Sequence, residues 1–175
     1  MNLQPHPTGA AGLAAISAEA RRLPDGSLAL RYELVGNMDA LLLPSPGPSV
    51  REDGLWRHSC CEAFLRVAGE PAYTELNFSP SGAWAAYRFT RYREGMQPLE
   101  LSASPSLQWQ LNTGQLTLSA TVPLALPPNV SVTLALAAVV EGADGALGWW
   151  ALRHPPGAPD FHHCDGFVVT LPPVT

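Results

Sequence analysis

Carboxylate, amide, guanidinium and indole side chains recur at two-residue spacing in three successive segments of the chain. Glu62 lies in the first segment, Glu75 and Asn77 lie in the second, and Trp84 and Arg88 lie in the third. The polar groups can exchange directed hydrogen bonds with hydroxyl groups, and an indole ring can cover the apolar C–H surface of a sugar. This combination of side chains is suited to binding a polyhydroxylated ligand.

Each of these side chains has an expected role in such a site. Trp84 is the expected stacking platform, with Arg88 and Glu75 as bidentate hydrogen-bond partners and Asn77 as a neutral one. Glu62 is expected to orient Arg88. The alternative is an ordinary solvated sheet face, on which Glu–Arg cross-strand pairs contribute a few tenths to about 1 kcal/mol each.

A second group of chemically capable residues surrounds a proline-rich turn near the C-terminus. Trp149 and Trp150 are adjacent, so on a strand they point to opposite faces, one into the core and one towards solvent or a cleft. The turn that follows predicts a rim loop that closes over a ligand, or an Asp–His or Asp–Arg pair that fixes a long loop. The polar residues expected at the rim are His58, His154, Asp160 and His162, and Arg153 is expected to contact the ligand.

Metal binding and hydrolysis are alternatives that the motifs favour less. His58, His154, His162, His163 and Cys164 are suitable ligand types, but their spacing matches no compact zinc pattern, so no metal site is expected. Glu62 and Glu75 resemble the carboxyl pair of a glycosidase, which more often lies in a deep cleft of a larger chain. Because GxSxG and GxGxxG are also absent, we expect a chain without enzyme activity.

The composition indicates one folded domain over residues 1–175, with 1–12 as a disordered segment or an edge extension. The chain is 46% hydrophobic, which suffices for a core, and its net charge of -5 argues against nucleic-acid binding. All ten basic residues are Arg, so lysine chemistry is excluded. No secretory signal or membrane-spanning run is present, which predicts a cytoplasmic protein with no membrane contact and three reduced, buried cysteines.

The elements that must position these residues are short strands. Gly and Pro together make up 33 residues (15 and 18), and turn signals recur about every ten positions. The predicted strands are 13–22, 28–35, 60–67, 73–79, 84–92, 107–111, 116–122, 130–140, 148–154 and 167–171. Nine to ten or more strands in this pattern indicate an all-β fold, an antiparallel β-sandwich of immunoglobulin-like or jelly-roll-like type.

Strand alternation assigns each side chain to a face of the sheet. In the 60–67 strand, Glu62 lies opposite the apolar face, and in the 73–79 strand Tyr73 lies on the same face as Glu75 and Asn77. In the 84–92 strand, Trp84 shares a face with Arg88. If these strands are consecutive neighbours, the three polar faces coincide and form one surface.

Two longer motifs are the runs LWRHSCCEAF at 55–64 and YTELNFSPSGAWAAYRF at 73–89. Together with WALRH at 150–154 and PDFH at 159–162, they resemble the bacterial DOMON-like domains related to family 9 carbohydrate-binding modules. The resemblance covers most of the chain from the second predicted strand onwards. It implies a β-sandwich in which one sheet face or end binds a ligand.

In the wider family that this resemblance indicates, the ligands are saccharides or haem. The carbohydrate modules use aromatic and polar residues, which here would be Trp84 with Glu75, Asn77 and Arg88, and Trp150 or Trp149 as a sugar-sandwiching ring. The haem-binding relatives use Met and His as axial ligands, and none of Met1, Met38 and Met96 aligns with the axial Met. We therefore expect a saccharide or sugar-like small molecule as partner, with no cofactor, and keep a haem module and an inert interaction domain as alternatives.

Overall fold

Twelve β-strands form nearly all of the regular structure in the computed structural model, which describes residues 1–9 and 12–173. The strands are β1 (Asn2–Pro5), β2 (Leu13–Arg22), β3 (Leu28–Gly36), β4 (Cys60–Val67), β5 (Tyr73–Phe78), β6 (Trp84–Phe89), β7 (Gln97–Pro98), β8 (Ser106–Asn112), β9 (Gln115–Val122), β10 (Val132–Glu141), β11 (Leu147–Ala151) and β12 (Val169–Leu171). Three short 3-10 helices occur in these described residues, at Met38–Ala40, Leu55–Arg57 and Cys164–Gly166. The all-β class predicted from the sequence is confirmed.

The strands pair antiparallel and form a curled sheet with two layers. The first layer contains β2, β3, β9 and β8, and the second contains β7, β6, β5, β4, β10 and β11, with β12 beside β10. β1 joins the layers, because Leu3 pairs with Ile16 of β2 while Gln4 pairs with Ala151 of β11. The fold is therefore an antiparallel β-sandwich of the jelly-roll-like class.

The main core lies between the two layers and follows from strand alternation. In β4, Cys61 and Leu65 belong to this core, whereas Cys60 lies in a separate apolar cluster on the outer face. Tyr32 of β3 is fully buried, and its hydroxyl donates a 2.7 Å hydrogen bond to the backbone carbonyl of Glu62 across the sandwich. This bond satisfies a buried polar group and links the layers directly beneath the candidate site.

Loops cover the outer face of the second layer and build a second apolar cluster there. β4, β5 and β10 are thereby buried on both faces, which explains why β4 and β10 are mostly apolar along their length. The buried members of this outer cluster are Leu55, Cys60, Phe64, Tyr73, Ala83, Ala85, Tyr87, Phe89, Ala135, Ala137 and Ala151.

Several predicted boundaries differ from the observed ones. The predicted 84–92 strand ends at Phe89, and the predicted 148–154 strand ends at Ala151, so the residues that follow form loops over the outer face. β1 and the two-residue β7 were not among the predicted strands. Cys60 and Cys61 are buried free thiols as expected, whereas Cys164 is exposed. None of the helices in the described residues is long and apolar enough to cross a membrane.

The turn between β5 and β6 depends on a glycine at position 82. Gly82 has φ +95°, and a Cβ atom there would lie 2.8 Å from the carbonyl oxygen of Gly47. Gly145 has a similar φ of +80°, with no atom within 4 Å of its Cβ position. We expect Gly82→Ala to lower the free energy of unfolding by about 1–2 kcal/mol more than Gly145→Ala, because it adds a backbone clash to the same dihedral strain. Urea unfolding measures both variants, and equal losses would contradict the clash.

Candidate functional site

Buried polar side chains lie at the centre of the outer face of the second layer. Glu62 on β4 pairs with Asn77 on β5, and Glu75 on β5 pairs with Tyr87 on β6, so these side chains share the outer face. Glu62, Glu75 and Asn77 are only 3%, 4% and 0% exposed. Ala137 of β10 pairs with Glu62, and its small side chain leaves space above the sheet.

A cavity of about 350 Å³ lies over these polar groups, and we call it the outer-face cavity. The sheet forms its floor, and the 3-10 helix Leu55–Arg57 and the loops 90–96 and 152–163 form its walls. The sheet contributes Glu62, Glu75, Phe89, Val139 and Trp149, and the walls contribute Trp56, Arg93, Phe161 and His162 among others.

The two carboxyl groups on the floor differ in their hydrogen bonding. Asn77 Nδ2 donates a 2.7 Å hydrogen bond to Glu75 Oε1, whereas Glu62 Oε1 is buried with no partner among the described residues. Burial and the neighbouring charge of Glu75 raise the pKa of Glu62 well above its usual value. Burial also raises the pKa of Glu75, against the opposing effects of the Asn77 hydrogen bond and Arg93. The pair therefore favours one or more bound protons when no partner compensates its charge.

His162 forms one wall of the cavity and is held by aromatic neighbours. Its Nδ1 lies 2.7 Å from the Tyr73 hydroxyl, and its Nε2 lies 3.8 Å from Glu75 Oε2. The imidazole also packs edge-on against Phe64 and Phe89, with ring centroids 5.0 Å and 5.2 Å away. Burial, reinforced by the charge of Arg93, lowers the pKa of His162 to about 4. His162 is therefore a neutral hydrogen-bonding group at neutral pH.

The depressed pKa of His162 predicts a pH-dependent contribution to stability. Between about pH 6.5, the usual pKa of an unfolded histidine, and a folded-state pKa of about 4, the unfolded chain binds more protons at this residue. The stabilisation is complete above that window and is lost as the pH falls through it. We expect the difference in unfolding free energy between the wild type and His162→Gln to shrink by about 3 kcal/mol across the window.

Denaturant unfolding of both proteins at a series of pH values measures this difference. Protonation of Glu62 and Glu75 acts in the opposite sense in each protein, so only the comparison isolates the imidazole. Parallel stability curves for the two proteins would show that His162 is not buried as a neutral group.

Asp160 fixes the loop that carries His162. Asp160 Oδ1 accepts a 2.7 Å hydrogen bond from Arg93 Nη2 and a 3.1 Å bond from the backbone N–H of His162, and Oδ2 accepts one from the Tyr92 hydroxyl. Burial alone would raise the pKa of Asp160, but these hydrogen bonds and the charge of Arg93 outweigh it and lower the pKa. The carboxylate is thus ionised and neutralises Arg93 at the rim.

Two half-buried indole rings border the cavity from different sides of the sheet. Trp149 is on β11, two strands away from Glu62, and it pairs with Val139 of β10. Trp56 comes from the 3-10 helix and packs edge-on against Tyr87 of β6, with ring centroids 5.8 Å apart. The floor strands β10, β4 and β5 lie between β11 and β6, so an aromatic surface borders the carboxyl pair at each side.

The structure brings six of the sequence-predicted residues together around the outer-face cavity. These are Glu62, Glu75, Asn77, Tyr73, Asp160 and His162. Asp160 fixes the loop through Arg93 and His162, whereas Tyr73 supports His162 and itself lines a neighbouring cavity. The predicted sharing of one face by Glu62, Glu75 and Asn77 is confirmed by the strand register.

The placement of Trp84 and Arg88 on this face was wrong. Phe78 pairs with Trp84 across residues 79–83, so odd-numbered residues of β5 lie opposite odd-numbered residues of β6. Trp84 therefore points into the main core, where it is 7% exposed. Arg88 pairs with Thr74 on that opposite face and is exposed at the end of its strand. The side chains of β6 on the outer face are Ala85, Tyr87 and Phe89.

Trp150 and Arg153 also lie outside the cavity. Trp150 pairs with Ala138 and belongs to the main core, so its neighbour Trp149 is the cavity-lining indole. Arg153 is exposed and does not line the cavity. Of the two indole rings that the sequence offered as the sugar-sandwiching ring, the structure therefore places Trp149 at the cavity and Trp150 in the core.

Two of the predicted rim histidines take part in other contacts. His58 is exposed, and its Nδ1 lies 2.8 Å from Glu141 Oε2. His154 Nε2 binds the backbone carbonyl of Gln4 at 2.9 Å, and its ring packs against His6 at 4.9 Å. Neither histidine lines the outer-face cavity.

The sequence interpretation missed the residues that loops bring to the cavity. Trp56 lies within the 55–64 motif and Phe161 lies beside Asp160, but no parity argument applies to residues outside strands. Arg93 stands in a short charged run, RYRE, at 91–94. That run is a signal that could have identified it, because charge is scarce in this chain.

A second cavity of about 400 Å³ shares His162 with the first, and its lining includes Tyr73, Arg66 and Phe167. Beside it, His163, Cys164 and Asp165 offer donor atoms within 4.8 Å of one another, the one such group among residues 1–9 and 12–173. All three come from one short surface turn, and the sequence had predicted no metal site.

Comparisons with known proteins identify the fold and no family. No protein-family model matches the chain, and no curated protein shows significant similarity to it. A solved structure from Bacteroides uniformis ATCC 8492, described as a "putative carbohydrate-binding protein", is 13% identical, with a TM-score of 0.65 over 97% of this chain and 84% of that chain. A family 9 carbohydrate-binding module from Caldicellulosiruptor kristjanssonii, solved with glucose, is 12% identical, with a TM-score of 0.48 over 82% of this chain and 69% of that chain. The first similarity shows the sandwich fold, and the second carries no further argument.

Proposed function

We propose that this chain is a non-catalytic saccharide-binding domain whose ligand occupies the outer-face cavity. The observation that carries the proposal is the juxtaposition of two buried carboxyl groups, Glu62 and Glu75, with two half-buried indole rings around one cavity. Hydroxyl groups of a sugar can satisfy the polar floor, while its C–H faces contact the rings. A cavity of about 350 Å³ is within the usual range for a small-molecule site.

Each group of the site has a place in this proposal. Glu62 Oε1 and Glu75 Oε2 accept hydrogen bonds from ligand hydroxyl groups, and Asn77 holds Glu75 in position. Trp149 and Trp56 provide apolar surfaces. A buried polar group without a hydrogen-bond partner destabilises the protein. A ligand hydroxyl that donates a hydrogen bond to Glu62 Oε1 removes this cost, and the gain favours binding.

The motif runs at 55–64 and 73–89 resemble those of bacterial DOMON-like domains related to family 9 carbohydrate-binding modules, and the sandwich fold agrees with that resemblance. We propose that residues 1–175 form one such domain. Because one fold can host unrelated functions, we infer saccharide binding from the cavity and not from the fold.

A glycan array followed by isothermal titration calorimetry tests the proposal. We expect at least one saccharide to bind with a Kd in the micromolar to millimolar range, and we expect Trp149→Phe, which keeps an aromatic surface, to bind more tightly than Trp149→Ala. Chromogenic glycosides serve as a control for catalysis. If no saccharide binds, the proposed saccharide-binding function is wrong. If the Glu62–Glu75 pair hydrolyses a glycoside, the domain is an enzyme and the non-catalytic part of the proposal is wrong.

Haem is the ligand alternative that can be compared with the cavity directly. Met96 and His162 both line it, and these are residue types that can ligate haem iron. The floor does not fit, because two buried carboxyl groups would face the apolar macrocycle, which provides no hydrogen-bond donors to them. A Soret absorbance band near about 400 nm after reconstitution with haem would overturn this conclusion.

A further inference from the structure

The Glu62–Glu75 pair has no arginine or protonated histidine within 4.0 Å among residues 1–9 and 12–173. Both carboxyl groups are almost completely buried, and the one basic nitrogen of the described residues within 4.0 Å of either is His162 Nε2. That imidazole is neutral at neutral pH, because burial lowers its pKa to about 4. The pair therefore lacks the compensation that buried carboxylates normally have.

The remaining cation of the cavity is already neutralised. Arg93 Nη2 donates a 2.7 Å hydrogen bond to Asp160 Oδ1, so its charge is paired at the rim rather than at the floor. The chain contains no lysine that could approach from elsewhere. Within the described part of the chain, the cavity thus has two carboxyl groups in excess over its free cations.

The walls of the cavity favour a cationic ligand group as well. Trp56, Trp149, Phe89 and Phe161 line the same space as the carboxyl pair. Aromatic faces attract ammonium groups through the ring quadrupole, and this attraction increases when the cation is desolvated. Carboxylates combined with aromatic walls are therefore better matched to a monocation than to a wholly neutral ligand.

We propose that the outer-face cavity selects a saccharide with a free, protonated amino group, and that the ammonium binds at the Glu62–Glu75 pair. This inference rests on the proposed function, because it names the class of saccharide bound there. The ammonium supplies hydrogen-bond donors to the unpartnered Glu62 Oε1 and to Glu75 Oε2. Its positive charge compensates the ionised form of the pair, and any proton released from Glu62 goes to the solvent.

Matched sets of sugars test this selectivity in the wild-type protein. Glucose, galactose and mannose are each titrated beside their 2-amino-2-deoxy and N-acetylated counterparts at about pH 6, below the usual pKa of such amines. We expect one amino sugar to bind at least tenfold more tightly than both its parent and its N-acetyl form. Ethanolamine, which has an ammonium group and no sugar ring, is expected to bind more weakly than that amino sugar.

Variants then locate the selectivity within the cavity. Glu62→Gln and Glu75→Gln should each reduce the affinity ratio between amino sugar and parent sugar towards one. Glu70→Gln removes an exposed carboxylate outside the cavity and should leave the ratio unchanged. Thermal unfolding of each variant shows whether a loss of affinity comes from misfolding. The affinity ratio between amino sugar and parent sugar in the wild type tests the selectivity without any variant.

The outcomes separate this inference from the proposed function. A neutral parent sugar that binds as tightly as its amino counterpart overturns the inference and leaves saccharide binding intact. Ethanolamine binding as tightly as the amino sugars overturns both, because the cavity would then recognise an ammonium group without a sugar. Failure of every sugar to bind overturns the proposed function itself.

Discussion

Trp84→Ala is expected to lower the free energy of unfolding by about 3–5 kcal/mol, the usual cost of removing a large buried aromatic side chain. Trp84 is 7% exposed and packs in the main core between the layers. It begins β6, where it pairs with Phe78 of β5. Because the side chain points away from the outer-face cavity, saccharide affinity of the folded protein should stay within about twofold, well under 1 kcal/mol. Urea unfolding and calorimetry measure the two quantities.

Trp84→Phe is the matched control for this prediction. The indole Nε1 of Trp84 is buried without a hydrogen-bond partner among the described residues, so phenylalanine removes an unsatisfied donor while it keeps an aromatic ring. We expect this variant to lose far less stability than the alanine variant. A stable Trp84→Ala protein that no longer binds saccharides would contradict the core placement and return Trp84 to the ligand site.

Trp149→Ala is expected to weaken saccharide binding by about 2–3 kcal/mol, which corresponds to a roughly 30- to 150-fold increase in Kd. The half-buried indole of Trp149 lines the outer-face cavity on the β11 side, and its loss would remove an aromatic surface from the ligand. Stability should fall less than in Trp84→Ala, because this ring is not part of the main core. Calorimetric titration with the tightest-binding saccharide gives the change in Kd.

Trp150→Phe provides a neighbouring control on the other face of β11. Trp150 packs in the main core, so this substitution should change stability and leave Kd within about twofold. If Trp150→Phe weakened binding as strongly as Trp149→Ala, the effect would come from distortion of β11 rather than from a ligand contact.

The fold class and half of the polar site follow from local patterns. Alternation correctly placed Glu62, Glu75 and Asn77 on one face, because strands β4 and β5 are regular neighbours. The same method failed for Trp84, because parity across a hairpin depends on the number of residues in the turn. Here five residues, 79–83, separate the paired ends, and that number reverses the face that had been assumed.

The walls of the cavity could not be read from periodicity. Trp56, Arg93 and His162 come from loops and a short helix that meet only after the sheet has formed. Their positions depend on long-range contacts such as the Arg93–Asp160 ion pair and the Tyr73–His162 hydrogen bond. A sequence pattern of period two contains no information about such contacts.

The pairing of β11 with β10 decides a choice between Trp149 and Trp150 that the sequence left open. Both residues belong to β11, and only the pairing with β10 decides which of them faces the core. Trp150 pairs with Ala138 of the core face, whereas Trp149 pairs with Val139 of the outer face. Alternation predicts that the two rings are on opposite faces, but it does not say which ring is on which face.

A crystal structure of the protein soaked with its tightest-binding saccharide shows whether the ligand occupies the outer-face cavity. We expect a sugar ring in the outer-face cavity, in contact with Trp149, with a ligand donor about 2.6–3.2 Å from a carboxylate oxygen of Glu62 or Glu75. A sugar bound in the cavity beside Phe167, or on the first layer, with the Glu62–Glu75 floor free of ligand, would contradict it.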